Sequence, residues 1–271
     1  MNKLKQVFSV FGWKGGILLI FYKLFYSSLQ SFKSSLILLE WAQKNNAKLS
    51  KKEGLVILES LPDFEGKPFA FRPFTSDSLV LRQHFFYKEL EPVVNYFKTL
   101  KIIPKLMIDV GGNIGSSACF MHGHFPALKS LVLEPSNSNC SVARINLKNE
   151  NSLIWEKALW WRSEILNFDE SRSAWAMRVS NSSSGKKVAG IALSEILEMK
   201  EFSNPDYIKI DIEGAEEEVF EKDRLLDKLL HSVPCISVEP HSERGKILID
   251  SKLKSWGFRV VFSGELVFGF R

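Results

Sequence analysis

Residues 106–115, LMIDVGGNIG, run a short apolar strand into an acid, Asp109, and then into a glycine-rich turn. Three more apolar runs in the second half of the chain end the same way: LVLEP at Glu134, YIKIDIEG at Asp211 and Glu213, and CISVEP at Glu239. A strand buried on both faces tolerates an ionised side chain only at its mouth, where ligand or water solvates it. Acids repeated there predict one shared crevice. In an open parallel α/β sheet that crevice lies at the carboxyl ends of the strands, where ligands bind.

Outward from this stretch, strands and helices alternate from Lys105 onward. Spacing predicts strands near 105–110, 130–134, 153–159, 207–212 and 235–239. Residues 136–149 and 215–230 read as helices with good starting signals. A last helix, near 242–256, stops at Gly257, a suitable residue just past a helix end. FRVVF and ELVFGF then flank Ser263 and Gly264, a two-residue hairpin signal. The fold class predicted is α/β: a doubly wound, mainly parallel sheet finished by a C-terminal antiparallel hairpin. Residues 160–190 break the alternation with three Trp and a Ser/Gly/Lys-rich tip, and read as a strand or hairpin extension carrying a loop.

Upstream, FRPFTSDSLVLRQHFFYKEL places Thr75, Ser76 and Asp77 just before an apolar-periodic run, the signature of a helix start. The helix is expected to end near Leu100 and to act as a lid before the sheet. Further upstream, Leu18, Phe21, Tyr22, Phe25, Leu29, Phe32, Leu36 and Leu39 recur at steps of three or four, which on a helix makes one stripe. Ser, Lys and Gln within it argue against a spanning helix, which needs roughly 20 mostly apolar residues. No small-residue cleavage site follows, so a secretory signal is a poor match. Two readings stay open: a segment lying on an anionic membrane surface, or a helix packing on its own domain or on a second subunit. The organisation expected is a basic amphipathic segment at 1–50, a lid region at 51–104 and the sheet domain at 105–271.

At 271 residues, 45% hydrophobic and 25% charged, the chain has the balance of a globular protein. The formal net charge of +5 is concentrated, because residues 1–52 hold nine Lys against the single acid Glu40. The rest is slightly acidic, which removes most support for a nucleic-acid partner. Cys119, Cys140 and Cys235 lack paired spacing, so neither a disulfide framework nor a zinc site is expected. The cytoplasm is the expected location, at the inner membrane face if the basic segment binds lipid.

The turn DVGGNIG brings Gly111, Gly112 and Gly115, which permit the positive φ and close approach that a ligand cradle requires. It is not a phosphate-binding P-loop, since GxxxxGK[ST] is absent. Nor is it GxGxxG, which weakens a nicotinamide-dependent oxidoreductase reading. Glu134 follows about 20 residues on, the arrangement in which a carboxylate accepts both hydroxyls of a ribose. Together these indicate an adenosine-containing ligand.

With IDVGGNIG, LEPS and YIKIDIEGAE as its strongest parts, and FTSDSLVLRQHFFYKEL, VEPH and LKSWGF as weaker ones, the chain resembles the FkbM family of S-adenosylmethionine-dependent methyltransferases over about residues 70–265. The resemblance implies a class I methyltransferase, Rossmann-like fold. It implies that Asp109, Gly111, Gly112, Asn113, Gly115 and Glu134 hold the cofactor, with Lys157 and Ala158 near the adenine and Asp211 near the methionine end. The family usually has an acid where this chain has Ser194, which receives no role.

The activity expected is O-methyl transfer to a hydroxyl of a sugar, glycan or other hydroxylated natural product. An alcohol acceptor needs a base within hydrogen-bond reach, since a neutral hydroxyl is a poor nucleophile. The candidates are His241, Glu213, Asp211 and Glu239, with His241 first because it titrates near neutral pH. The same four could ligate a divalent cation, but spacing fixes no mutual geometry, so no metal ligand is assigned. His122 and His124 read as helix-end polar residues. A membrane-peripheral, non-catalytic binding module is the remaining alternative.

Overall fold

The structure of the protein is a computed structural model in which residues 30–61, 64, 66–148, 150–168 and 186–271 are described. It divides between Lys88 and Glu89 into two compact units. The first holds helix α1 (Gln30–Lys44), strands β1 (Leu49–Lys52), β2 (Leu55–Leu58) and β3 (Phe69–Phe71) in one antiparallel sheet, and helix α2 (Asp77–Phe85). Leu36, Leu38, Leu39 and Ala42 of α1 are buried, and α1 packs on α2. The later part of the predicted stripe therefore packs within its own unit, while residues 1–29 lie outside the described residues. Asp77, expected at a helix start, accepts from the backbone N of Arg72 at 2.8 Å and pairs with its guanidinium at 2.7 Å. Among the described residues no helix is long and apolar enough to cross a membrane.

The helix expected to run to Leu100 is two. Lys88 takes a left-handed backbone (φ 52°), and α3 (Glu91–Leu100) starts afresh with Pro92 in its first turn, where the missing N–H costs nothing. The second unit is built on a seven-stranded sheet in the order β12-β13-β11-β10-β4-β5-β6. Its strands are β4 (Leu106–Val110), β5 (Lys129–Leu133), β6 (Ser152–Trp155), β10 (Tyr207–Ile210), β11 (Cys235–Val238), β12 (Arg259–Ser263) and β13 (Leu266–Phe270). Strands β4, β5, β6, β10 and β11 are parallel, and β13 runs antiparallel to both of its neighbours. Chain order runs outward from β4 through β5 to β6 on one side and through β10 to β11 on the other. The direction reverses between β4 and β10, and the crevice above such a switch point is where an open sheet binds ligands.

The helices between these strands are α4 (Ser116–His124), α5 (Asn137–Asn146), α6 (Leu193–Glu198), α7 (Glu216–Lys222), α8 (Leu226–Leu229) and α9 (Glu243–Ser255). Ser136 caps α5 with its side chain, as the sequence signals predict, and Ser242 caps α9 in the same way. One continuous apolar core, including Ile108, Leu131, Ile208, Ile236, Phe220 and Leu253, fills the space under the helices. His122, expected as a helix-end polar residue, is fully buried and bonds Ser130 and Ser152 at 3.1 and 3.0 Å.

Three further expectations need correction. The strand predicted at 153–159 breaks after Trp155, and β7 (Ala158–Trp160) joins β8 (Ile165–Phe168) and β9 (Lys186–Ala192) in a separate small sheet; residues 169–185 lie outside the described set. The helix predicted at 215–230 breaks at Asp223, which leaves helical geometry and accepts the Ser194 backbone N–H at 3.0 Å. The hairpin turns one residue later than expected, at Gly264 and Glu265, since Ser263 pairs with Leu266. Its second strand lies inside the sheet, between β11 and β12, which explains why all five β13 residues are buried.

Candidate active site

Asp109 ends β4 with no exposed surface, accepting a hydrogen bond from the Ser117 hydroxyl. Its neighbour in register is Lys209 on β10, whose Nζ lies 4.0 Å from Asp109 Oδ1 and 3.1 Å from Asp211 Oδ2. Burial raises the Asp109 carboxyl, against the Lys209 charge. Burial alone would lower Lys209, but the Asp211 and Asp109 charges outweigh it and hold the ammonium charged. In the following turn the N–H groups of Gly111 and Gly112 both donate to Leu133 O, at 2.9 and 3.0 Å. Gly111 has φ 76°, and a Cβ there would stand 1.7 Å from the carbonyl oxygen of Asp211. Glycine is required here because two strand ends cross at backbone contact.

Glu134, at the mouth of β5, is only 2% exposed. Its Oε2 accepts from Asn113 N at 2.9 Å, and its Oε1 from Ser136 N at 2.8 Å and Asn139 Nδ2 at 3.1 Å. The carboxylate thus ties the glycine turn to the start of α5. Burial pushes it up to about 7, against the three N–H donors. Asp109 Oδ1 and Asn113 Oδ1 are buried without a hydrogen-bond partner among the described residues.

A second group converges at the mouths of β10 and β11. His241 Nδ1 donates to Glu216 Oε1 at 2.9 Å, and the same oxygen accepts from Ile212 N and Gly214 N. Its Nε2 lies 3.3 Å from Glu213, 3.7 Å from Glu239 and 3.9 Å from Asp211. Burial opposes charging of the imidazole, but bonds to Glu213 and Glu216 overcome this and push it up to about 11. His241 is therefore an imidazolium at neutral pH. Glu213 is raised by burial, although its bond to His241 works the other way. The Glu239 side chain is 13% exposed, and its carboxylate lies 3.7 Å from His241 Nε2, beyond hydrogen-bond distance; burial, then the Asp211 charge, pushes it up to about 8. Asp211, Glu239 and His241 each bring one ligand-type atom within 4.8 Å of the others, a composition a divalent cation would accept. In this geometry the imidazolium proton, not a lone pair, faces the carboxylates.

Two unlike cavities border these groups. One has apolar walls from Leu133, Pro135, Leu159, Leu166, Val188 and Ile212, and touches Gly111, Lys157, Ala158 and Asp211. The other, about 440 Å³ and mainly polar, is bounded by Glu239, His241 and the β12–β13 hairpin. The sequence-predicted residues thus fall into two clusters: Asp109, Gly111, Gly112, Asn113, Gly115 and Glu134 around the turn, and Asp211, Glu213, Glu239 and His241 at the next strand mouths. Lys209, Glu216 and Glu89 went unread. Glu89 is raised by burial, against the Lys209 charge and with those of Asp211 and Glu265. A Lys inside the apolar YIKI was the available signal for Lys209, because a buried ammonium needs acids beside it.

A family model described as the methyltransferase FkbM domain matches residues 109–260. The chain belongs to the FkbM methyltransferase family. No curated protein matches it. Among solved structures, this FkbM protein is similar to a precorrin-6y C5,15-methyltransferase from Geobacter metallireducens GS-15, at 13% identity over 68% of this chain and 88% of that one, TM-score 0.41. It is also similar to an O-methyltransferase family protein from Burkholderia thailandensis, at 11% identity over 72% of this chain and 59% of that one, TM-score 0.42. Membership in the FkbM family makes this a methyltransferase that uses S-adenosylmethionine. The residues present fit that donor. The apolar cavity beside the Gly111 turn suits a flat nucleobase, the orphaned Asn113 Oδ1 leaves a buried acceptor, and Asp211 supplies a carboxylate for a cationic group.

Proposed function

We propose that this FkbM-family protein transfers the methyl group to a hydroxyl oxygen of a sugar, glycan or other hydroxylated natural product. What carries the reading is the meeting of two unlike cavities at one proton-bearing cluster. Asp211 lines the apolar cavity, Glu239 and His241 line the polar one, and the three side chains lie 3.7 to 3.9 Å apart through His241 Nε2.

When bound, S-adenosylmethionine supplies an electrophilic methyl on a sulfonium centre. In this proposal Asp109, Gly111, Gly112, Asn113 and Gly115 shape the wall that holds it, with Ala158 and Lys157 beside the base and Asp211 at the charged end. Glu134 already meets three N–H donors, which leaves one of its roughly four acceptor positions for a ribose hydroxyl. The protein's task is to hold the acceptor oxygen at near-attack distance, roughly 3–3.5 Å.

The base is reassigned from His241 to Glu239. An imidazolium pinned by Glu213 and Glu216 has no lone pair to offer, whereas Glu239 faces the polar cavity without a donor and is pushed up to about 8, close to the range a general base requires. The acceptor's proton ends on a Glu239 carboxylate oxygen. Lys209, Asp211 and His241 keep the surrounding charge balanced.

The test is to incubate the full chain with the donor and neutral methyl glycosides and to locate the new methyl by NMR. A methyl on oxygen is expected, and a methyl found only on nitrogen or carbon overturns the reading. Glu134→Ala is expected to abolish or strongly weaken donor binding by calorimetry; unchanged affinity in a folded variant counts against its role.

A further inference from the structure

Resting on the O-methyl transfer just proposed, the polar cavity has a chemistry of its own. Three elements build it. The end of β11 gives Glu239, the first turn of α9 gives Glu243 and Lys246 at a spacing that puts them on one face, and the hairpin gives Phe262 from β12 and Glu265 from the turn itself. Its volume of about 440 Å³ is within the usual range of small-molecule sites, roughly 300–1,000 Å³. Phe262 is 49% exposed, and the Lys246 ammonium lies 5.3 Å from its ring centroid.

We propose that this cavity is the acceptor site, and that it takes an uncharged polyhydroxylated ring, such as a neutral pyranose. Ring hydroxyls donate to the carboxylates of Glu243 and Glu265, which can only accept while ionised, and to Glu239 once it has lost its proton. The weakly positive C–H face of a pyranose complements the negative face of the Phe262 ring. Lys246 provides a donor for the ring or glycosidic oxygen. A purely apolar acceptor would strip water from three acids without replacing it, which is costly. A phosphorylated or uronic acceptor would meet Glu243 and Glu265 with like charge, and Lys246 alone cannot balance both. His241 adds little positive charge, since Glu213 and Glu216 already neutralise it.

The experiment is saturation-transfer NMR on the full chain with S-adenosylhomocysteine present. The probes are the methyl glycosides of glucose, galactose, mannose and rhamnose, with glucuronic acid and glucose 6-phosphate as charged, anionic counterparts. At least one neutral glycoside is expected to bind, the charged sugars about tenfold more weakly or not at all. Phe262→Ala and Glu265→Gln should each weaken that binding about tenfold, with calorimetric affinity for S-adenosylhomocysteine unchanged. The inference falls if no neutral glycoside binds, if a charged counterpart binds as well, or if both variants bind like the parent. The two proposals separate cleanly. Glycoside binding lost in the variants, but without methyl transfer to oxygen, keeps the cavity assignment and removes the O-methyl reading. Transfer to oxygen with an unchanged acceptor KM in both variants does the reverse.

Discussion

At the scale of single residues, the account turns on which group near the acceptor can lose and regain a proton. Glu239→Gln keeps the shape and removes the base, so kcat is expected to fall by about 10²–10⁴, the usual worth of general-base catalysis, with S-adenosylhomocysteine affinity unchanged. The base acts deprotonated and is pushed up to about 8, so kcat/KM should rise with pH below that value and level off above it. His241 lowers Glu239 through its charge, and His241→Gln should therefore shift this limb to higher pH. A pH–rate profile of both variants checks the pair; an acid limb that persists unchanged in Glu239→Gln would assign it elsewhere. The acids were legible in the sequence because each ends a buried strand just before Gly or Pro, or within a DIEG turn. What could not be read was how they share protons. That depends on Lys209 filling the gap between Asp211, two positions away, and Asp109, a hundred positions back, and on Glu216 reaching His241, 25 positions on.

At the scale of elements, local signals succeeded where local chemistry decides, and failed where tertiary packing does. Ser242 stands where the last helix was expected to begin, and its hydroxyl accepts from Gly245 N at 2.8 Å. Ser242→Ala should cost about 1 kcal/mol, which in a chain of this size lowers Tm by roughly 2–4 °C in a thermal melt. The Gly111 turn was readable as special, but the reason expected, close approach of a ligand, is only part of it. Gly111→Ala would drive a methyl into the Asp211 carbonyl and strain a positive φ, so the loss should exceed about 3 kcal/mol and show as a failure to fold cooperatively by circular dichroism. A native-like melt would mean the β4 and β10 ends can separate. The breaks after Trp155 and at Asp223 carried no comparable signal, because each follows from a partner elsewhere: β9 for β7, and Ser194 for Asp223.

At the scale of the whole molecule, the alternation of strands and helices was enough to give the doubly wound sheet, since each buried parallel strand reads as an apolar run with a helix after it. It did not give the position of β13. A hairpin signal says that two strands pair, not which of them docks on the sheet, and here the second strand does. The order that results places the switch point between β4 and β10, next to the strand mouths that bring Asp211, Glu239 and His241 together. The most direct test is a crystal structure of the full chain with S-adenosylhomocysteine. The account predicts the nucleoside in the apolar cavity against the Gly111 turn, with the thioether sulfur turned toward Glu239. A nucleoside bound outside that cavity, or a sulfur facing away from the polar cavity, would contradict it.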